Sequence, residues 1–216
     1  MAAVLNPTEQ KVIIEHVSWQ TYERLSADLA DRSAPRLTYD CGVLEIMSPT
    51  PRHEELNRNL ALLITILAAA LGLDMRNLGS ATFRRADLNR GFEPDSCFYI
   101  EHEAAIRGKA KIDLSHDPPP DLVIEIDITS GSLDKFPLYR QIGVPEIWRY
   151  DNHRLTIFHL LNDEYQASES SRAFRDVQAA DLARLLQESL SQPSTQWLRA
   201  LQEWAERQKS DRAAVK

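Results

Sequence analysis

Acidic residues interrupt stretches of this chain that otherwise read as buried strand. In DLVIEIDITS (121–130), Asp121, Glu125 and Asp127 fall among aliphatic residues. At the two-residue period of a strand, Leu122, Ile124, Ile126 and Ile128 share one face, and Asp121, Val123, Glu125, Asp127 and Thr129 share the other. FEPDSCFYI (92–100) alternates in the same way, with Glu93, Asp95, Cys97 and Tyr99 on one face. A buried carboxylate without a partner costs about 3–5 kcal/mol, so a counter-charge is expected opposite these acids. If the two strands pair, Asp95 and Glu125 converge, and hard oxygen donors at short separation suit Mg²⁺ or Mn²⁺. The plainer alternative is a solvated outer face on an edge strand.

Three further side chains could join such a site. In GSLDKFPLYRQIGVPE (131–146), Asp134 can cap a short helix, Pro137 falls in its first turn, and Gly143 and Pro145 mark its end. Lys135, Tyr139 and Ile142 then share a face; Tyr139 and Ile142 pack on the sheet and Lys135 emerges at the rim near the acids. A lone lysine at a helix start is more often solvated. His53 lies along the leucine stripe of the longest helix, where it either reaches the site or is a core histidine bonded to backbone. On that reading Glu54 faces away, and Glu45 in GVLEIMSP is a weaker candidate of the same kind.

The elements that must hold these residues follow from periodicity. SWQTYERLSADLA (18–30) reads as a helix capped by Ser18. RLTYD and VLEIM flank Cys41-Gly42 as a hairpin, and RHEELNRNLALLITILAAALG (52–72) is the strongest helix, with Leu56, Leu60, Leu63, Leu67 and Leu71 in one stripe. ATFRRA, EPDSCFYI, DLVIEIDIT, EIWRYD and RLTIFHLL read as strands, with a basic, irregular linker at 101–120 and a short helix at 135–142. This order predicts an α/β domain with a mixed sheet. Helices follow at 181–190 and 194–209, and 210–216 is expected to fray. Trp197, Leu201 and Trp204 form an apolar face that either packs back on the domain or makes a dimer contact.

Composition bounds the partners. The 216 residues, 43% hydrophobic and 26% charged, suit one sizeable core. A net charge of −7 argues against strong, non-specific nucleic-acid binding, although Arg84, Arg85, Arg90, Arg107, Lys109 and Lys111 form a local basic run. Two cysteines, Cys41 and Cys97, make neither a metal motif nor a disulfide framework and favour a reducing, cytoplasmic compartment. MAAVLNPTEQ has no secretory-signal pattern, and the apolar run at 60–73 is too short for a membrane span.

GVLEIMSPTPRHEELNRNL, FEPDSCFYI and PPPDLVIEIDITSGSLDKFPLYRQIGVPEIWRYD resemble, in order, the Uma2 family (DUF820) of restriction-endonuclease-like proteins. The resemblance implies the PD-(D/E)XK nuclease fold: a mixed β-sheet flanked by helices, with the site where two central strands splay. The chain is expected to hold an endonuclease-like domain at 1–180 and a C-terminal helical extension at 181–216; the resemblance itself runs through most of 42–151 and does not reach the N-terminal or C-terminal helices. It implies that Asp95 and Glu125 bind metal and that Lys135 supplies the lysine from the following helix, because Asp127 stands where the motif has lysine. His53 matches a histidine common in the family, without an assigned role.

The function expected is a Mg²⁺- or Mn²⁺-dependent endonuclease hydrolysing DNA. The Ile126 carbonyl is an additional metal ligand; Asp127 is either a weaker one or a holder of Lys135. A homodimer is expected by analogy with nucleases that cut two strands. The rival is a catalytically silent interaction or regulatory module, favoured by the acidic charge and the displaced lysine. A carbohydrate-cleaving carboxylate pair would need neither lysine nor metal and leaves the match unexplained.

Overall fold

A computed structural model describes residues 10–30, 32–128, 133–151, 153–175 and 177–214. Thr129 and the first nine residues lie outside the described residues. Two sheets carry the fold. The first has the order β1-β3-β2-β6-β5 and is antiparallel throughout: β1 (Gln10–Ile14), β2 (Arg36–Asp40), β3 (Val43–Ser48), β5 (Phe83–Arg85) and β6 (Arg90–Phe92). The second has the order β11-β10-β9-β8-β7-β4, comprising β4 (Arg76–Gly79), β7 (Ser96–Tyr99), β8 (Leu122–Asp127), β9 (Glu146–Asp151), β10 (Arg154–Leu161) and β11 (Glu164–Ser168). In this second sheet β8 and β9 are parallel and the other pairs antiparallel, so it is mixed.

The parallel pair requires a crossover. The segment carrying α4 (Phe136–Ile142) supplies it. Gly143 closes α4 in the left-handed conformation, at φ 85, and the Asp134 carboxylate accepts from the Phe136 N–H at 3.1 Å. Lys135, not Asp134 as the sequence suggested, is the N-cap of α4, and no side chain caps it; the Asp134 bond is a turn just before the helix.

Alternation along β8 sets the layers. Leu122, Ile124 and Ile126 enter a core with the leucine stripe of α2 (Pro51–Leu71), with Trp148 and Tyr150 of β9, and with α5 (Ala179–Ser191) and α6 (Ser194–Ala214). Val123 enters a second core with Cys97, Ile147, Leu138, Tyr139 and, from the first sheet, Phe83 and Phe92. The mixed sheet therefore lies between helices on one face and α4 with the other sheet on the opposite face.

The C-terminal face resolves in favour of packing. Trp197, Leu201 and Trp204 are each at most 4% exposed and belong to the core with α2. This face is spent within the chain and is not a dimer contact. The fraying expected from 210 does not begin there either, since α6 continues to Ala214.

Other expectations need correcting. The hairpin around Cys41-Gly42 forms, with φ of 47 and 101 at those residues, but it joins the separate antiparallel sheet. The linker at 101–120 holds a one-turn helix, α3 (Glu103–Ile106). Strands β1, β4, β6 and β11 are three to five residues long, too short for periodicity to reveal. Helix α1 (Trp19–Asp28) begins at Ser18, whose hydroxyl accepts from the Thr21 N–H.

Helix α1 docks through Tyr22, which stacks on Tyr39 of β2 with ring centroids 5.0 Å apart. Gly91 of β6 leaves room for that ring: an added Cβ would sit 2.1 Å from the Tyr22 hydroxyl oxygen. Gly91→Ala is expected to cost about 1–3 kcal/mol through overpacking, measured as a lowered midpoint in urea with an unchanged slope.

Candidate active site

The register of β7 on β8 brings the two acids together. Ser96 pairs with Ile124 and Cys97 with Val123 in antiparallel sense, so Asp95 arrives beside the C-terminal half of β8. There its Oδ2 accepts from the Ile126 N–H at 2.6 Å. Both Asp95 and Glu125 line a cleft of about 160 Å³ between the two sheets. The convergence expected of these two strands is what the structure has.

Asp95 is 1% exposed and surrounded by donors. Arg36 at the start of β2 hydrogen-bonds its Oδ1 and reaches Glu54 at 2.5 Å with the other guanidinium nitrogen. His53, on the first turn of α2, lies with Nε2 3.2 Å from Oδ2. Asn57, one turn later, donates to the Asp95 backbone carbonyl at 2.9 Å. Burial pushes the Asp95 carboxyl up, but His53, Arg36 and Lys135 outweigh it and hold it at about 2.

Glu125 is held from α4. Its Oε2 accepts from Lys135 Nζ at 2.8 Å, and its Oε1 accepts from the Tyr139 hydroxyl. The shared face of Lys135, Tyr139 and Ile142 explains this: Tyr139 and Ile142 pack on the sheet, and Lys135 projects into the cleft with 10% of its side chain exposed. Burial raises the Glu125 carboxyl above its ordinary value, Lys135 opposes this, and the Asp95 charge adds to it. Burial lowers the Lys135 ammonium, and the carboxylates of Glu125, Asp95 and Glu45 more than reverse that.

The remaining candidates divide. Glu45 of β3 is 2% exposed, lines the cleft, and accepts from the Leu133 N–H at 2.7 Å, pinning the segment just before Lys135. His53 does not line the cleft; it supports Asp95 from behind, along the leucine stripe. Ile126 lines the cleft beside Asp95. Asp127 does not hold Lys135; its oxygens lie 2.9 Å from Arg149 and 3.4 Å from Lys11. Asp121 leaves the constellation altogether, because it accepts from the Ile100 and His102 N–H groups at the other end of β8. Glu54, read as facing away, turns to Arg36.

Arg36, Tyr139 and Lys11 are members that sequence reasoning missed. Tyr139 carried a signal, its register with Lys135, which was read only as packing. Arg36 and Lys11 carried none, since each depends on which strand of one sheet lies over the other.

These carboxylates form two linked ion pairs with an acidic surplus. Glu45, Glu54, Asp95 and Glu125 face Arg36 and Lys135, so two negative charges are left over when all are ionised. Among the described residues, no three or more His, Cys, Asp or Glu side chains form a group able to hold a metal ion. Two cleft carboxylates fit an ion that keeps its waters and takes phosphate oxygens, as Mg²⁺ does, and do not fit a closed tetrahedral site. Asp95 Oδ1 and both Glu125 oxygens each take one protein donor and keep a lone pair free, whereas Asp95 Oδ2 is taken by the Ile126 N–H and His53.

No described helix is long and apolar enough to cross a membrane. Comparison with curated proteins gives no match. Among solved structures, the chain is similar to "a putative nuclease belonging to DUF820 from Anabaena variabilis ATCC 29413", with a TM-score of 0.54 and 13% identity over 79% of this chain and 99% of that one. At that identity the likeness speaks to the fold. The model of the Uma2 family, described as "Putative restriction endonuclease", matches residues 19–193, a span that contains Arg36, Asp95, Glu125 and Lys135. On that match, over most of its length, the chain belongs to the Uma2 family.

Proposed function

We propose that the chain is a metal-dependent endonuclease that hydrolyses DNA phosphodiester bonds. The observation that carries this reading is the Asp95–Glu125–Lys135 cluster: one buried carboxylate, a second with 13% of its side chain exposed on the adjacent strand, and an ammonium in one cleft, with negative charge in surplus. Asp95 and Glu125 would hold Mg²⁺ or Mn²⁺, with the Ile126 carbonyl as a further donor. When bound, the metal supplies Lewis acidity at the phosphate and a bound water of lowered pKa.

The chain's own groups do the rest. Lys135, pre-placed by Glu125 and by Leu133 on Glu45, orients the attacking water and stabilises charge developing on the phosphate. Arg36 and His53 act through Asp95: they fix its rotamer and keep it ionised. They are positioning residues. Tyr139 does the same for Glu125, leaving Oε2 to Lys135.

A fold retained without turnover is the competing reading. It draws on the fact that every oxygen of Asp95 and Glu125 already accepts from a protein donor. Supercoiled plasmid incubated with Mg²⁺ or Mn²⁺ separates the two. The nuclease reading expects nicking that EDTA stops and that Asp95→Ala and Lys135→Ala both lose; nicking unchanged in Asp95→Ala would place the activity elsewhere.

Protons compete with a metal for Glu125. Its raised carboxyl pKa therefore places the acid limb of activity above the ordinary glutamate value of 4.5. Activity should fall as pH drops through that limb, and raising the Mn²⁺ concentration should move the limb to lower pH. A limb insensitive to metal concentration would assign it to another group.

A further inference from the structure

An acidic chain that handles DNA must supply cations where the strand lies, and the basic run in the sequence does not. Arg84 donates to Ser26 at 2.7 Å, Arg85 pairs with Asp87, and Arg90 pairs with Asp40, both at 2.7 Å. Arg107 is taken by Glu103 and Asp74, and Lys109 by Asp117. Acids thus neutralise Arg85, Arg90, Arg107 and Lys109, and none of the run lines the cleft.

Two other cations stand at its mouth. Arg149 of β9 is the cross-strand partner of Glu125, so it rises from the same face of the mixed sheet, one strand over. Lys11 comes from β1, in the opposite sheet. They meet on Asp127, at 2.9 Å and 3.4 Å, one on each carboxylate oxygen. Arg149 is also 3.8 Å from Asp151 and keeps 39% of its side chain exposed. Arg36 and Lys135 are committed to Asp95 and Glu125; Lys11 is as enclosed as Lys135, each with 10% of its side chain exposed, so Arg149 is the open half of the pair.

We propose that Arg149 and Lys11 grip a phosphate of the bound DNA strand at the mouth of the cleft, beside the phosphate being cut. The proposal rests on the nuclease reading above. A planar guanidinium presents five donors and matches phosphate oxygens in pairs, and Asp127 uses only part of that capacity. Asp127 acts as a placeholder: its two oxygens hold the two cations at the separation a bridging phosphate needs. Lys11 lies outside the span the family model matches, so this half of the grip belongs to the chain's own first strand.

Binding of a short fluorescent duplex to the full chain, followed by anisotropy across a salt series with Ca²⁺ in place of Mg²⁺, tests this. Lys11→Ala and Arg149→Ala are each expected to weaken binding roughly tenfold at about 0.1 M salt and to reduce the log–log salt slope by about 1. Arg149→Lys should keep the slope while losing part of the affinity. Asp127→Asn is expected to tighten binding several-fold, a gain that misfolding cannot mimic. If the wild-type chain binds and nicks DNA while both alanine variants keep the full slope and affinity, this proposal is overturned and the nuclease reading stands. A wild-type chain that neither binds the duplex nor nicks plasmid sinks the nuclease reading, and the grip with it.

Discussion

Asp95→Ala is expected to abolish metal-dependent nicking and to lower stability by about 3–5 kcal/mol, because it removes one partner of a buried charge cluster. Arg36 is 6% exposed and His53 fully buried, and both lose the carboxylate they were built around. The Ile126 N–H loses its acceptor as well. An acid-stability profile checks the electrostatic part. Asp95 is depressed to about 2 when folded, against about 3.9 unfolded. Its contribution is therefore present above pH 4 or so and lost as pH falls through about 2, and the variant's acid unfolding should lack that component. Nicking must be compared well below the variant's melting temperature, so that lost activity is read in folded protein. A folded Asp95→Ala chain with wild-type nicking contradicts the assignment.

Lys135→Met comes second in expected size. The ammonium lies 2.8 Å from Glu125 with only 10% of its side chain exposed, so it is partly shielded and its fixed charge is worth more than in bulk solvent. Losing such a stabilising group typically lowers kcat about 10²–10³-fold. Because Lys135 is committed to the reacting centre rather than to the DNA backbone, KM should move much less than kcat. Glu125, left with Tyr139 alone, should hold its proton to higher pH, moving the acid limb of activity upward. Lys135→Arg keeps the charge and is expected to recover part of kcat. An unchanged kcat in Lys135→Met, with Glu125→Gln inactive, would show that the lysine only neutralises its neighbour.

What the sequence reveals here is what depends on local period. The alternation of β8 puts Ile124 and Ile126 in the helix-side core and Glu125 in the cleft. The leucine stripe of α2 carries His53 to Asp95, and the i, i+4, i+7 spacing of Lys135, Tyr139 and Ile142 carries the lysine to Glu125. What it conceals depends on which distant strands meet. Arg36 looks like the first residue of an ordinary hairpin until β2 is laid beside the start of β7. Asp121 shares a face with Glu125 by period, yet it lies at the end of β8 where the chain turns at 100–102 and needs a cap. In the basic run, Arg85, Arg107 and Lys109 are cancelled by acids close to them in sequence, Asp87, Glu103 and Asp117, and only Arg90 and Arg107 reach distant ones, Asp40 and Asp74.

The proposed mechanism stands on a divalent cation shared by Asp95 and Glu125. A crystal soaked in Mn²⁺ and measured for anomalous scattering addresses it directly. One strong peak is expected in the cleft, between the Asp95 and Glu125 carboxylates and near the Ile126 carbonyl. Full-strength peaks only at surface carboxylates, with this cleft blank at saturating Mn²⁺, would contradict it.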